Sequence, residues 1–169
     1  MTQTATHPPM PKLDGTGLTI GIVVARYNWH ITGALLQLAQ EELTCLGVAP
    51  ENIQVVYTPG SYELATAAKA MLAGGSYDAL ICFGCVVKGE TRHDVVVSDA
   101  AAQGIQRVAL DLGVPIIFGV MCAENQRQAE ERIPRGKECA EAAVEMARTV
   151  QLLQRAEQTK EKANVRRNR

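Results

Sequence analysis

A short polar segment that follows an apolar run contains the residues best suited to chemistry. Residues 79–83 are apolar, and residues 84–93 read GCVVKGETRH. The glycines make this segment flexible and leave backbone amide groups free to bind a ligand. Its last residue, His93, carries an imidazole, which titrates near neutral pH and suits proton transfer there. His93 is therefore a catalytic candidate, with a purely structural place in the first turn of a helix as the alternative.

Polar residues also follow two earlier apolar runs, at 26–29 (RYNW) and 59–63 (PGSYE). Because the carboxyl ends of parallel strands share one edge of a sheet, we expect these segments to lie beside His93. Together they offer flat aromatic faces, a carboxylate and glycines, which suit a planar heterocycle with a polyhydroxyl or phosphate appendage. Structural alternatives stay open, since Tyr27 could pack at the sheet edge and Ser61 could cap a helix.

Four β-rich apolar runs alternate with helical patterns, which predicts a parallel sheet with right-handed crossovers. The predicted strands are Leu18 to Ala25, Ile53 to Tyr57, Ala79 to Gly84 and Pro115 to Val120. The predicted helices are 31–46, 61–72, 93–113, 124–132 and 137 to about 155. We therefore predict an α/β protein, a single three-layer sandwich whose four-stranded sheet has the flavodoxin-like order 2-1-3-4 and helices on both faces.

The ends of the chain differ from this domain, which we place at residues 15–156. Residues 1–14 form an N-terminal arm, and its prolines favour an extended segment over a central strand, with an extra edge strand as the alternative. Residues 157–169 are polar and highly charged without apolar spacing, which predicts a disordered tail.

Composition excludes several classes of function. The 169-residue chain has a formal net charge of −1 and an aromatic content of 4%. Duplex-binding surfaces are strongly basic and single-strand binders need aromatic platforms, so we expect no nucleic-acid partner. No apolar stretch approaches the roughly 20 residues of a membrane helix, so we expect no membrane association.

The five cysteines are odd in number and dispersed through apolar segments, which favours reduced thiols in the cytoplasm over a disulfide framework. Cys82 and Cys85 have CxxC spacing, but they lie in a predicted strand, where residues three apart point to opposite faces. We interpret both as small buried hydrophobic residues and predict no metal site.

Taken together, these segments resemble the lumazine synthases, which catalyse the penultimate step of riboflavin biosynthesis. The resemblance rests on GIVVARYN at 21–28, PGSYEL at 59–64, the segment 84–93, GVPIIFGV at 113–120 and AAVEMA at 142–147. It implies condensation of 5-amino-6-(D-ribitylamino)uracil with 3,4-dihydroxy-2-butanone 4-phosphate. The products are 6,7-dimethyl-8-ribityllumazine, phosphate and water, and the family needs no metal or organic cofactor.

The resemblance also implies residue roles. His93 matches the proposed proton shuttle of the family, Tyr27 the aromatic that stacks on the pyrimidine, and Glu63 an acceptor for ribityl hydroxyls. The positions that match the whole pyrimidine and ribityl site are Tyr27, Ser61, Tyr62, Glu63, Cys85, Val86, Val87 and, from the neighbouring subunit, Phe118. The phosphate site matches Glu90, Thr91 and Arg132. Asn28 and Lys137 are further candidates for the active site, without assignment to either substrate.

Three features depart from the family pattern. Asp94 and Val95 stand where many relatives have an aromatic residue and then an acid, and Asp94 either orients His93 or faces solvent. Glu90 places a carboxylate at the phosphate turn, so its backbone would have to bind the phosphate. The stretch after Arg132 is shorter than the family's glycine- and lysine-rich linker, in which Lys137 is the nearest candidate for the lysine.

The resemblance implies a homopentamer with active sites between subunits, which in some members builds further into decamers or 60-subunit shells. Riboflavin synthase is a candidate partner. The alternative function is a non-catalytic homologue that binds lumazine or flavin, or that forms a shell. The presence of Tyr27, His93 and Arg132 together favours catalysis.

Overall fold

The computed structural model describes the backbone of residues 11–167 and the side chains of residues 11–160. Its strands are β1 Ile20–Ala25, β2 Ile53–Thr58, β3 Ala79–Val87 and β4 Ile116–Ala123. They form one parallel sheet in the order β2-β1-β3-β4, as predicted. Residues 1–10, and with them most of the arm and its edge-strand alternative, lie outside the described residues.

Helices cover both faces of the sheet in the described part of the chain. They are α1 Trp29–Cys45, α2 Leu64–Gly74, α3 His93–Leu112, α4 Gln126–Glu130 and α5 Arg135–Arg167, with 3₁₀ turns at Pro50–Asn52 and Ser61–Glu63. Helices α1 and α5 pack on one face, and α2 and α3 pack on the other. The predicted three-layer α/β sandwich is therefore confirmed.

The central strands β1 and β3 are apolar at nearly every position because both of their faces are covered. Residues that face α1 and α5 alternate with residues that face α2 and α3, as Phe83 and Cys82 do on β3. Continuous apolar runs are typical of parallel strands buried on two sides. This burial explains why these runs predicted strands well.

Strand β3 is longer than predicted, since it continues past Gly84 to Val87 by pairing with β4 as far as Ala123. The glycine does not end the strand. A Cβ atom at Gly84 would meet the side chain of Ser61 and would come within 3.1 Å of Leu64 Cδ1. Gly84 therefore allows the segment after β2 to pack closely on β3.

Helix α5 continues to Arg167, well beyond the predicted end near Arg155. Residues 157–167 are helical, so the boundary predicted between the domain and the tail lies inside one continuous helix. The segment is rich in Glu, Gln, Lys and Arg, which favour helix, and it contains no glycine or proline. Apolar spacing, on which the prediction rested, reports whether a helix packs and not whether it forms.

Cys82 and Cys85 are buried on opposite faces of β3, as their spacing predicted. Among the described residues, no group of three or more His, Cys, Asp or Glu side chains is arranged to hold a metal ion. None of the helices in residues 11–167 is both long enough and apolar enough to span a membrane.

Candidate active site

A cleft of about 800 Å³ lies at the carboxyl ends of β1 and β3, where the strand order reverses. Such a reversal point is the common ligand site of open α/β sheets. Of the predicted site residues, the cleft is lined by Tyr27, Ser61, Tyr62, Glu63, Cys85, Val86, Val87, Thr91 and His93. Segments that are far apart in the sequence therefore meet at one edge of the sheet.

Tyr27 presents a free aromatic ring on a backbone that is held in place. Its N–H donates to Pro59 O at 3.1 Å, and the N–H of Arg26 donates to Thr58 O at 2.8 Å, so the loops after β1 and β2 are joined. The Tyr27 side chain is nevertheless 71% exposed. The ring is thus available for stacking against a planar ligand and is not packed away at the sheet edge.

The turn after β2 is capped by Gly60 and Glu63, and not by Ser61 as the structural alternative had it. The N–H of Gly60 donates to Glu63 Oε2 at 2.9 Å, while the Ser61 side chain is buried against β3. This hydrogen bond fixes the Glu63 carboxylate at the cleft. Its other oxygen remains available to accept a hydrogen bond from a ligand hydroxyl.

Strand β3 presents open backbone groups to the cleft. Its pairing with β1 ends at Phe83, whereas its pairing with β4 continues to Val87. The N–H of Lys88 donates to Ala123 O at 2.9 Å. The backbone groups of even-numbered residues in this part of β3 therefore face β4, and those of odd-numbered residues face the opposite side, where β1 no longer pairs. Backbone groups of Cys85 and Val87 therefore face the cleft, in a strand and not in the loop that the sequence predicted.

His93 is the first residue of α3 and is exposed at the cleft. Val96 and Val97 also line the cleft, although neither was predicted as a site residue. Residues three and four positions apart share a helix face, so the spacing from His93 could have identified both. These valines give the imidazole a partly apolar surrounding.

Asp94 is half-buried and lines the same cleft, so its carboxylate does not simply face solvent. Glu90 is exposed and does not line the cleft. Next to it, Lys88 Nζ lies 2.7 Å from Glu124 Oε2, and this hydrogen bond and charge raise the pKa of Lys88. The Lys88–Glu124 pair ties the segment after β3 to the segment after β4.

Besides Glu90, three more predicted residues lie away from the cleft of their own chain. Arg132 follows α4 on a separate surface depression, and Phe118 lies at mid-height on β4, paired with Cys82. Lys137 Nζ lies 3.6 Å from Glu42 Oε2, which fits a structural ion pair on α1 and α5. Among the described residues, those lining the cleft include no lysine or arginine.

Comparison with known proteins assigns the family. The family profile of 6,7-dimethyl-8-ribityllumazine synthase matches residues 17–151. The chain belongs to the 6,7-dimethyl-8-ribityllumazine synthase family. The family resemblance found in the sequence is thereby confirmed, and the matched segment contains every residue of the cleft.

Individual members of the 6,7-dimethyl-8-ribityllumazine synthase family are similar over most of their length. The synthase of Azoarcus sp. (strain BH72) is 43% identical over 143 residues, which are 84% of this chain and 92% of that protein. The synthase of Cupriavidus necator is 45% identical over 143 residues, 84% of this chain and 86% of that protein. The synthase of Polaromonas sp. is 44% identical over 137 residues, which are 80% of this chain and 89% of that protein.

Proposed function

We propose that the protein condenses 5-amino-6-(D-ribitylamino)uracil with 3,4-dihydroxy-2-butanone 4-phosphate to give 6,7-dimethyl-8-ribityllumazine, phosphate and water. This is the penultimate step of riboflavin biosynthesis. The observation that carries the proposal is the single cleft in which an exposed aromatic ring, open strand backbone, a fixed carboxylate and an imidazole meet. Family membership supports the same reaction.

Each part of the pyrimidine substrate has a matching group in the cleft. The Tyr27 ring stacks on the flat pyrimidine, and the open backbone of Cys85 and Val87 pairs with its polar edge. Glu63, held by its hydrogen bond from Gly60, accepts from the ribityl hydroxyls. Ser61 and Tyr62 complete the wall on that side.

The phosphate of the second substrate would bind at the start of α3. Backbone amides at a helix N-terminus favour an anion, and the turn before His93 supplies them together with the Thr91 hydroxyl. Within residues 11–160 no lysine or arginine lines the cleft to balance the charge, and Glu90 and Asp94 add negative charge nearby. Arg132 of a neighbouring subunit would supply the guanidinium, and Phe118 of that subunit would close the pyrimidine site.

Chemistry at the cleft consists mainly of proton transfers. Attack of the 5-amino group on the ketone forms an imine and releases one water. Elimination of phosphate then leaves an enol that tautomerises to a new ketone. The ribitylamino nitrogen attacks this ketone and closes the ring with loss of a second water. Each step moves a proton, and His93, which lines the cleft, relays it in this proposal. Holding both reactants in one cleft also accelerates the reaction, because well-oriented pairs reach effective molarities of ~10⁵ M and above.

The first test mixes the purified protein with both substrates and follows the lumazine absorbance. We expect product only when both substrates are present, at a rate well above the rate without protein. Binding of a lumazine without any turnover would instead support the non-catalytic alternative.

Replacing the imidazole tests the proposed role of His93. We expect His93→Ala to lower kcat by about 100-fold, because general acid–base catalysis typically contributes 10²–10⁴. Some activity should remain, since the substrates are still held together. His30→Ala, which removes an imidazole that does not line the cleft, is the matched control and should keep full activity.

A further inference from the structure

Asn28 has a backbone conformation that its position in the chain does not explain. It precedes α1 with φ 57° and ψ 45°, and it is the one non-glycine residue with positive φ in the described part of the chain. Asparagine tolerates this left-handed region better than most residues. Its side chain makes no capping hydrogen bond to α1, so helix capping is not the reason for its conformation.

The side chain of Asn28 reaches across to β3. Its Nδ2 donates to the carbonyl oxygen of Cys85 at 2.9 Å. On the side of β3 that faces β1, this carbonyl is the first one beyond Phe83, the last residue that β3 pairs with β1. The amide of Asn28 therefore takes the place of the missing strand partner at the point where the cleft begins.

This hydrogen bond joins two parts of the cleft beyond the last pair of β1 and β3. Tyr27, adjacent in sequence, carries the stacking ring, and the Cys85–Val86 peptide starts the open backbone of β3. On the other side of Asn28, Thr32 Oγ1 donates to Ala25 O at 2.7 Å and anchors the start of α1. Asn28 thus lies between a fixed helix start and the backbone that the ligand would meet.

We propose that Asn28 is a positioning residue that sets the orientation of the Cys85–Val86 peptide relative to the Tyr27 ring and so determines affinity for the pyrimidine. The proposal rests on the function proposed above. It requires a side chain that donates a hydrogen bond and a backbone that tolerates positive φ. Glycine meets only the second requirement, and ionised aspartate, with no hydrogen to donate, opposes the Cys85 carbonyl.

A selective label can observe this hydrogen bond directly in the intact protein. Cys85–Val86 is the only Cys-Val pair in the sequence, so ¹³C-carbonyl cysteine with ¹⁵N-valine gives a single HNCO signal from this peptide. We expect the signal to shift in both Asn28→Gly and Asn28→Asp, because the carbonyl loses its donor. Asn52→Asp makes the same charge change at the amino end of β2, the opposite edge of the sheet, and should leave the signal in place.

Steady-state kinetics then separate positioning from general stability. We expect Asn28→Gly and Asn28→Asp to raise the KM for the pyrimidine about tenfold, the size of one lost hydrogen bond. The KM for the butanone phosphate should change less than about twofold, since its site is at α3. Glycine adopts the positive φ of Asn28 without strain, so Asn28→Gly is expected to fold. Its KM values test the proposal even if the aspartate variant does not fold.

Two results would overturn the proposal: an HNCO signal unchanged in both variants, or equal rises of both KM values. These outcomes differ from failure of the proposed function, which would appear as absence of lumazine formation by the unmodified protein. In that case the HNCO signal would still report whether Asn28 holds the Cys85 carbonyl.

Discussion

Strand geometry assigns separate tasks to the side chain and the backbone of Cys85. Its thiol is buried in the core against α1 and α5. Burial is the main cause that raises the pKa of this thiol to about 11, and the nearby Cys122 adds a smaller contribution. A raised pKa keeps the thiol protonated at neutral pH, so Cys85 is no nucleophile there. Its backbone meanwhile faces the cleft. The CxxC spacing with Cys82 therefore has no redox meaning, which agrees with the interpretation from sequence.

Arg132 lies outside the cleft of its own chain, yet it is the predicted cation for the phosphate. We expect Arg132→Ala to raise the KM for the butanone phosphate about tenfold or more, because charge-assisted hydrogen bonds to phosphate are strong. The KM for the pyrimidine should change little. Steady-state kinetics with each substrate varied in turn measures the difference.

Arg127→Ala is the control for this prediction. It removes the same charge from the same region, where Arg127 pairs with Glu131 at 3.5 Å on the protein surface. The control should leave both KM values unchanged. A parallel rise of both KM values in Arg132→Ala would argue for a structural role of Arg132.

At the scale of elements, the start of α5 packs directly on the backbone of α1. A Cβ atom at Gly136 would come within 2.5 Å of Leu35 O and 3.0 Å of Leu35 Cα. These are backbone atoms of a buried helix, so they cannot move away as the end of a flexible side chain would. The glycine therefore sets the distance between α1 and α5.

We expect Gly136→Ala to lower the free energy of unfolding by about 1–3 kcal/mol, the usual cost of overpacking. Gly74→Ala is the matched control, because the new methyl at the end of α2 meets nothing within 4 Å. That variant should be neutral or slightly stabilising. Denaturant unfolding at one protein concentration compares the two; equal stabilities would mean that α1 and α5 separate without cost.

At the scale of the whole molecule, the residues that line the cleft favour the proposal that a neighbouring subunit completes the site. The cleft offers a helix start for a phosphate but no lysine or arginine among its described lining residues. Arg132 and Phe118 lie exposed elsewhere on the surface. The proposal that a neighbouring subunit supplies these two residues would account for both observations, and a closed ring such as a pentamer would complete every site in this way.

Complementation between two variants tests the shared site. If His93 and Arg132 act from different subunits, co-expressed His93→Ala and Arg132→Ala chains should form mixed rings in which about one quarter of the sites are intact. At butanone phosphate below its KM, the mixture should therefore exceed the average activity of the two separate variants. Sedimentation velocity should show an assembly of five 18.2 kDa chains or of a multiple of five, and activity of a monomer would contradict the shared site.

The sequence by itself determined the order of elements along the chain, the parallel α/β class and most of the cleft. Buried parallel strands are continuously apolar and helices repeat their apolar residues, so both patterns are local and readable. The position of His93 after a strand, and of Tyr27 and Glu63 after two others, follows from the same patterns. Family resemblance added the roles of individual side chains.

Only the tertiary structure decided where β3 ends, what Asn28 binds and which residues of α3 reach the cleft. The length of β3 depends on pairing with β4, and the Asn28 contact joins residues 57 positions apart. Neither is encoded in the neighbouring sequence. A hydrogen bond between distant segments forms only when packing of the whole sheet brings its donor and acceptor together, so local patterns predict the elements but not these contacts.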